Sequence, residues 1–385
     1  MKLMHLSDLH LGKRLNEMSL LEDQSYILQE ILAMVKQYKP ECMLLAGDIY
    51  DKPVPPAEAV TLFDSFLNRL SQLTTVCVIS GNHDSAERLA FGSQLMSASG
   101  VHFCGIYTGE PQFITLHDEY GAVNVYLLPF LKPANVRHCL SEEAAAKITS
   151  YHEALCCAVE NLHIDTSVRN VLVAHQFVTG AQTAGSEAVN VGGVDNIGAE
   201  VFADFDYVAL GHIHNAQNIG SERIRYSGTP LKYSFAEWQQ EKSVTMVELG
   251  AKGDMNLRTL PLVPLRELRK LRGTYAELIE KSYWQQFPTG SDGLLRDFFH
   301  ITLTDEEDVM DAVQRLRTVY KNLLQLEYDN MRTRTDSVIE CVERLVEKSP
   351  LELMSEFYQL QNNQALSKVQ EEYLQKLLEE MEEER

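Results

Sequence analysis

A layered α/β sandwich, with a small α/β capping domain and a C-terminal pair of helices, is the fold class this 385-residue chain predicts, on three observations. Five short apolar runs end abruptly in Asp, Asn or His. Helical periodicity alternates with those runs through residues 1–100, and the composition shifts after Glu248-Leu249-Gly250. The runs are 2–6 before Ser7-Asp8-Leu9-His10, 42–46 before Gly47-Asp48, 76–79 before Gly81-Asn82-His83-Asp84, 171–174 before His175, and 207–210 before Gly211-His212-Ile213-His214. Short runs rich in Val, Ile and Leu, bounded by Gly or polar residues, fit strands buried on both faces. Periodicity alone leaves a buried helix open; length and the flanking glycines favour strands. Open sheets collect ligands beyond the carboxyl ends of their strands, and the polar residues stand at those ends.

Carboxylate, imidazole and amide groups are what divalent cations need to activate water on a phosphate ester, and a pair of cations about 3.5–4 Å apart clamps the attacking and leaving oxygens. Asp48, with two oxygens to share, is the expected bridge. Asp8 and His10 stand two residues apart, as do His212 and His214, so in extended backbone each pair points to one side. The mixed nitrogen and oxygen set without thiolate suits Mn, Fe or Zn, and its carboxylate share is compatible with Mn. A lone histidine in a strand is more often a packing or surface residue, but five strand ends with the same chemistry are not explained that way. The nucleophile would then be a water activated between the cations. His83 is the candidate general acid. Asp84 either orients its imidazole or caps the helix that starts near Ser85. The other histidines, His5, His102, His117, His138, His152, His163 and His300, lack this context.

In order and spacing, Asp8-Leu9-His10, Gly47-Asp48, Gly81-Asn82-His83-Asp84, His175 and Gly211-His212-Ile213-His214 resemble the motifs of calcineurin-like metallophosphoesterases. Within that family, these motifs together with Tyr226-Ser227-Gly228-Thr229-Pro230-Leu231 and Pro264-Leu265-Arg266-Glu267-Leu268 resemble the nuclease subunits of bacterial SbcC-SbcD-type DNA repair complexes. The resemblance implies one metal on Asp8, His10, Asp48 and His214 and a second on Asp48, Asn82, His175 and His212. It implies Mn-dependent cleavage of DNA, exonucleolytic (3'-5') at duplex ends and endonucleolytic in single strands and hairpins. It also implies a homodimer within a heterotetramer containing an SbcC-like coiled-coil ABC-type ATPase. Asp51 departs from relatives that carry a second histidine there. The competing reading is a metallophosphatase for a small phosphodiester or phosphomonoester.

A net charge of −21 sits awkwardly with DNA, because phosphate affinity usually comes from Lys and Arg. Two considerations weaken the objection. Two divalent ions would add local positive charge, and residues 336–385 hold 13 acidic against 5 basic residues, far along the chain from the site motifs. A basic cluster, Arg258, Arg266, Arg269, Lys270 and Arg272, follows the motif region and is the candidate DNA contact, with Arg266, Arg269, Lys270 and Arg272 as its main members. Seven cysteines without CxxC spacing read as reduced thiols. No apolar run is long enough to span a bilayer, and the chain enters the Asp8 motif almost at once. The expected location is the cytoplasm, at the nucleoid. No GxxxxGK[ST] loop occurs, so ATP dependence would come from a partner.

The expected domains are 1–260, the catalytic sandwich; 261–335, a cap reading strand (298–303), helix (306–320), strand (323–328); and 336–385, two amphipathic helices for partner docking. Within the sandwich, helices are expected over 22–38, 57–70 and 141–162, and a Gly/Ala/Ser-rich loop over 179–198. In the last segment, Ser349-Pro350 marks a helix start, and Val369, Tyr373, Leu377 and Leu378 share one side of a second helix.

Overall fold

The structure, a computed structural model, describes residues 1–183, 196–290, 294–330, 351, 354–355, 357–359 and 366–383. It forms two compact units, Met1–Arg266 and Glu267–Arg385. The boundary lies a few residues beyond the expected one, because Pro261 still belongs to a strand of the first unit.

All five apolar runs are strands, and they are divided between two six-stranded sheets. The first sheet runs Met255–Pro261, Ser243–Leu249, Lys2–Leu6, Cys42–Ala46, Thr75–Ile79, Val101–Cys104. Its last four strands are parallel, and Ser243–Leu249 is antiparallel to Lys2–Leu6. The second runs Gln217–Ile219, Ser221–Tyr226, Tyr207–Gly211, Arg169–His175, Gly121–Leu128, Phe113–Asp118, parallel through its middle.

Alternation along each strand explains why a continuous apolar run is required. Val171 and Val173, Tyr207 and Ala209, and Val123, Val125 and Leu127 meet Leu3, Leu44, Ala46 and Ile79 of the first sheet in one buried cluster. Their neighbours Leu172, Ala174, Val208, Leu210 and Tyr126 face the opposite way, into a second cluster with Ala154, Leu155 and Ala158 of the helix Tyr151–Glu160. Both faces are therefore covered, as parallel strands require.

Helices Leu21–Tyr38 and Ala57–Ser71 fall where the periodicity placed them. The helix expected over 141–162 is two: Glu142–Ala145, then Tyr151–Glu160. Ser150 accepts a bond from the Glu153 amide and Glu153 accepts one from the Ser150 amide, so a capping box restarts the helix. Most of the loop expected over 179–198 lies outside the described residues.

In the second unit, Leu268–Gly273, Phe298–Leu303 and Leu323–Tyr328 form a parallel three-stranded sheet. The helix expected over 306–320 is confined to Ala312–Arg317. The first strand of this sheet is the basic segment itself, which the sequence reading had not marked as a strand. Residues 331–350 and 361–365, which include the start of the first expected docking helix, lie outside the described residues. The second helix expected in this segment is Lys368–Glu383.

Leu44 is fully buried between the sheets, so Leu44→Ala is expected to cost about 2–5 kcal/mol. The measurement is a urea titration of the metal-free protein, and a midpoint indistinguishable from wild type would contradict this account of the layer.

Candidate functional site

The carboxyl ends of five strands converge at one edge of the sandwich, and the connections leave them by tight hooks rather than by extended backbone. Asp8, His10, Asp48 and His212 all adopt positive φ (54°, 42°, 50° and 101°). Such conformations cost non-glycine residues on the order of 1–3 kcal/mol each and persist where surrounding structure over-determines them. The expectation that Asp8 and His10 share a side through extended alternation is therefore corrected: left-handed turns bring them together. Three bonds splice the hooks, from the Asp8 amide to Gly47 O (3.0 Å), from His10 to Asp48 O (2.9 Å) and from Leu11 to Ile49 O (2.9 Å). A Cβ at Gly211 would lie 1.9 Å from Ala46 O, and one at Gly47 would lie 2.4 Å from His175 Nδ1, so only glycine fits either position.

Donor atoms of Asp8, His10 and His214 lie within 4.8 Å of one another, as do those of Asp8, Asp48 and His175, and those of His10, Asp48 and His83. Asp48 Oδ2 is 3.7 Å from His10 Nε2 and 3.4 Å from His175 Nε2, while its Oδ1 accepts the His83 amide at 2.8 Å. Asn82 Oδ1 is 3.0 Å from His175 Nε2 and 2.9 Å from His212 Nδ1. His10 and His214 present Nε2 to each other at 3.2 Å. All seven candidate ligands thus meet in one buried to half-buried cluster, with His83 beside them, its ring centroid 4.8 Å from that of His10. Phe130 stacks on His212 at 6.2 Å and walls one side.

Burial and charge are in conflict here. Burial, reinforced by the Asp48 charge and opposed by His175, pushes the Asp8 carboxyl up to about 6. Burial works the same way on Asp48, but His175 and the other imidazoles outweigh it and hold Asp48 well below the usual carboxylate range. On His175, burial favours the neutral ring, yet Asp48 and Asp8 prevail and raise it to about 9. Burial takes His212 down to about 3 and His10 well below its ordinary value. This oxygen and nitrogen set fits divalent cations, which would compensate the carboxylates and take the unprotonated imidazole nitrogens. The Nδ1 atom of His175 donates to Ala46 O at 2.8 Å, so its Nε2 is the atom left for a cation.

Asp84 differs from both expectations. Its carboxylate accepts the amides of Ile49 (3.1 Å), Tyr50 (2.9 Å) and Gly81 (2.9 Å), tying the Asp48 hook to the Asn82-His83 hook. The following short helix has no side-chain cap, and the His83 ring is oriented by Asp51, whose carbonyl accepts from Nδ1 at 2.9 Å. Burial and the Asp48 charge push the Asp84 carboxyl up to about 6 despite the three amides. Asp51 does not simply face solvent: its carboxylate pairs with Lys13 at 2.8 Å and lies 3.8 Å from His10 Nδ1. His5 is buried behind the cluster, bonded to Tyr207 Oη (2.8 Å) and Leu210 O (3.2 Å).

The basic cluster is largely spent in ion pairs. Arg266, in the first unit, binds Asp23 and Glu22; Arg269 binds Asp297, Arg272 binds Asp329, and Arg258 binds Glu248. Lys270 is exposed. Residue reading missed several supports of the hooks. Gln24 Nε2 donates to His10 O (2.8 Å), Tyr233 to Leu9 O, and Ser7 to Asp8 while lying 2.9 Å from Ser227 Oγ. Burial acts to raise the Glu237 carboxyl, but bonding to His214 and the Lys242 charge hold it at about 2. The one signal for any of these was the Tyr226–Leu231 similarity, which contains Ser227 and Thr229.

The sandwich and its cluster define a calcineurin-like phosphoesterase: the family model of that description matches residues 1–216, and the chain belongs to this family. Residues 264–362 match a second family, described as the type 5 capsule protein repressor C-terminal domain. The chain is also 30% identical, over 98% of its own length and 98% of the relative's, to the SbcD component of the SbcCD nuclease of Staphylococcus epidermidis. It is a metal-dependent hydrolase of this nuclease type. Solved structures it is similar to include a dimetal phosphatase from Danio rerio (12% identity, 68% of this chain and 96% of that one, TM-score 0.38). Another is the phosphopantetheinyl hydrolase of Mycobacterium tuberculosis (13%, 67% and 95%, TM-score 0.37). At those scores the likeness carries no argument about function.

Asp84→Ala strands three amides, each worth roughly 1–3 kcal/mol when left unsatisfied. The metal-free protein is expected to melt at a lower temperature. A variant with wild-type stability and altered turnover alone would restore the idea that Asp84 acts through His83.

Proposed function

We propose that this chain is the nuclease subunit of a DNA repair and recombination complex, hydrolysing phosphodiester bonds at duplex ends and in single strands and hairpins. The observation that carries it is that Asp48 Oδ2 lies 3.7 Å from His10 Nε2 and 3.4 Å from His175 Nε2, so one carboxylate faces both groups, joined to full-length similarity to a nuclease subunit. In this reading Asp8, His10, Asp48 and His214 hold one divalent cation and Asp48, Asn82, His175 and His212 the other, with Mn2+ the expected ion. When bound, the pair supplies positive charge that activates water and offsets phosphate charge.

The rest is the work of side chains. Asp48 turns Oδ2 toward both groups while the His83 amide pins its other oxygen. His83, with Nδ1 bonded to the Asp51 carbonyl, keeps Nε2 free to bind a phosphate oxygen and to hand a proton to the departing sugar oxygen. Asp84 holds the two hooks at fixed separation. Phosphate contacts from the cap fall to Lys270 and to Arg272, whose side chain is 58% exposed even while paired.

Two apolar surfaces support our reading of partner and copy number. In the helix Lys368–Glu383, Val369 and Tyr373 are 76% and 65% exposed and Leu377 is partly so. A stripe at this spacing on a helix suits docking against another helix, here the coiled-coil base of an SbcC-like ATPase. In the first unit, Phe91 and Leu95 are 85% and 82% exposed beside a groove formed with Val60, Phe63, Leu67 and Met96. Exposed apolar surface of this extent marks interaction sites, and a second copy is the occupant we assign, giving a dimer that works in the cytoplasm at the nucleoid.

The decisive assay is cleavage of an end-labelled DNA hairpin with Mn2+ and with chelator, comparing the chain with His83→Ala and running bis(p-nitrophenyl) phosphate alongside. We expect metal-dependent cutting that His83→Ala reduces by about 100-fold or more, a typical general-acid contribution. Turnover of the small ester with DNA left intact, even with an SbcC-type ATPase and ATP present, would favour the small-phosphoester phosphatase instead. Separately, Leu95→Asp is expected to convert a dimer to monomer by sedimentation; an unaltered dimer would remove this patch from the interface.

A further inference from the structure

The histidines of the cluster differ in what stands behind them. His175 donates Nδ1 to the neutral carbonyl of Ala46 at 2.8 Å, and His83 donates to that of Asp51 at 2.9 Å. His214 instead turns Nδ1 toward a fully buried carboxylate, Glu237 Oε1, at 3.5 Å. Glu237 sits on the short turn Phe235–Glu237, and its other oxygen is 2.6 Å from the ammonium of buried Lys242. Lys242 also donates to Thr229 Oγ1 (2.7 Å), Gln240 Oε1 (2.7 Å) and His214 O (3.0 Å). The backbone of His214 is held from the same side, since the Thr229 amide donates to His214 O at 3.1 Å.

A buried ion pair is a weak source of stability against apolar packing, so stability alone does not account for Glu237 and Lys242. Their placement does: a carboxylate on the outer nitrogen of an imidazole fixes its tautomer and strengthens the inner nitrogen as a ligand. We propose that Glu237, anchored by Lys242, is the positioning residue for His214, presenting its Nε2 unprotonated beside Asp8 and His10 and tightening cation binding at that group alone. His175, backed by a neutral carbonyl, receives no such charge, so the two metal positions have different origins for their affinity. The inference rests on the two-metal reading above.

Its test is calorimetric titration of the full chain with Mn2+, paired with Mn2+ electron paramagnetic resonance to count bound ions. Wild type should bind two. Glu237→Gln should weaken one position by about 10–100-fold and leave the other within about twofold. The double variant Glu237→Gln/Lys242→Met, which leaves no lone buried charge, should show the same loss. Two unchanged affinities in either folded variant overturn the role of Glu237 and leave the two-metal reading standing; a wild type that binds no Mn2+ overturns that reading itself. A measurement free of variants accompanies these: long-range 1H–15N spectra of metal-free wild type should show His214 protonated at Nδ1, and a proton on Nε2 alone would refute the proposal even where both variants fail to fold.

Discussion

One bond between the sheets sets the geometry of everything around it. The carbonyl of Ala46, at the end of a first-sheet strand, accepts Nδ1 of His175, at the end of a second-sheet strand, at 2.8 Å. It joins the two layers at their carboxyl edges and fixes which nitrogen of His175 looks inward. It also forces backbone so close that a side chain at Gly47 or Gly211 would occupy the space of the imidazole or the carbonyl. Those glycines lie next to Asp48 and His212, which themselves adopt positive φ, so the tight packing reaches the cluster directly.

The electrostatics follow from that crowding. Once the hooks are spliced, two carboxylates and several imidazoles share a desolvated pocket in which no single protonation state suits all of them. Asp8 is pushed toward its neutral form while Asp48 is held charged, and His175 is driven to carry a proton while His212 is driven to lose one. Opposed shifts among groups this close together are concentrated at functional sites. A divalent cation would resolve the conflict by taking the place of protons on nitrogen and pairing the carboxylates, and the oxygen and nitrogen donor set at the hooks suits that role.

Much of this was legible in the residues and some of it could not have been. The strands were readable because burial on both faces demands unbroken apolar runs, and the ligands because they interrupt those runs at the sheet edge. The backbone of the hooks was not, since Asp and His at positive φ look the same in sequence as Asp and His in extended chain. Asp84 was visible beside His83 but not its bonds to Ile49, Tyr50 and Gly81, which depend on how two distant loops meet. The pairing of the Arg cluster was not legible, because charge in sequence says nothing about partners: Arg269 and Arg272 stand on a strand whose acidic partners lie far along the chain at Asp297 and Asp329. Glu237 and Lys242 were invisible for the same reason: nothing local marks an acid and a base as buried.

The spent arginines change how an acidic chain can meet an acidic polymer. With −21 overall and Arg258, Arg266, Arg269 and Arg272 already paired with carboxylates, this cluster offers little of the general attraction that Lys and Arg usually provide. Divalent ions held by the Asp/His cluster would be the largest local positive charges available to a phosphate, as is common in such sites. On the reading proposed above, affinity for a phosphodiester would be tied to the place where it is cut, so that a phosphate brought to the cluster would gain more than one lying elsewhere on the surface. On the same reading, an acidic surface would select against unproductive binding, and the cluster that holds the cations would serve both catalysis and recognition.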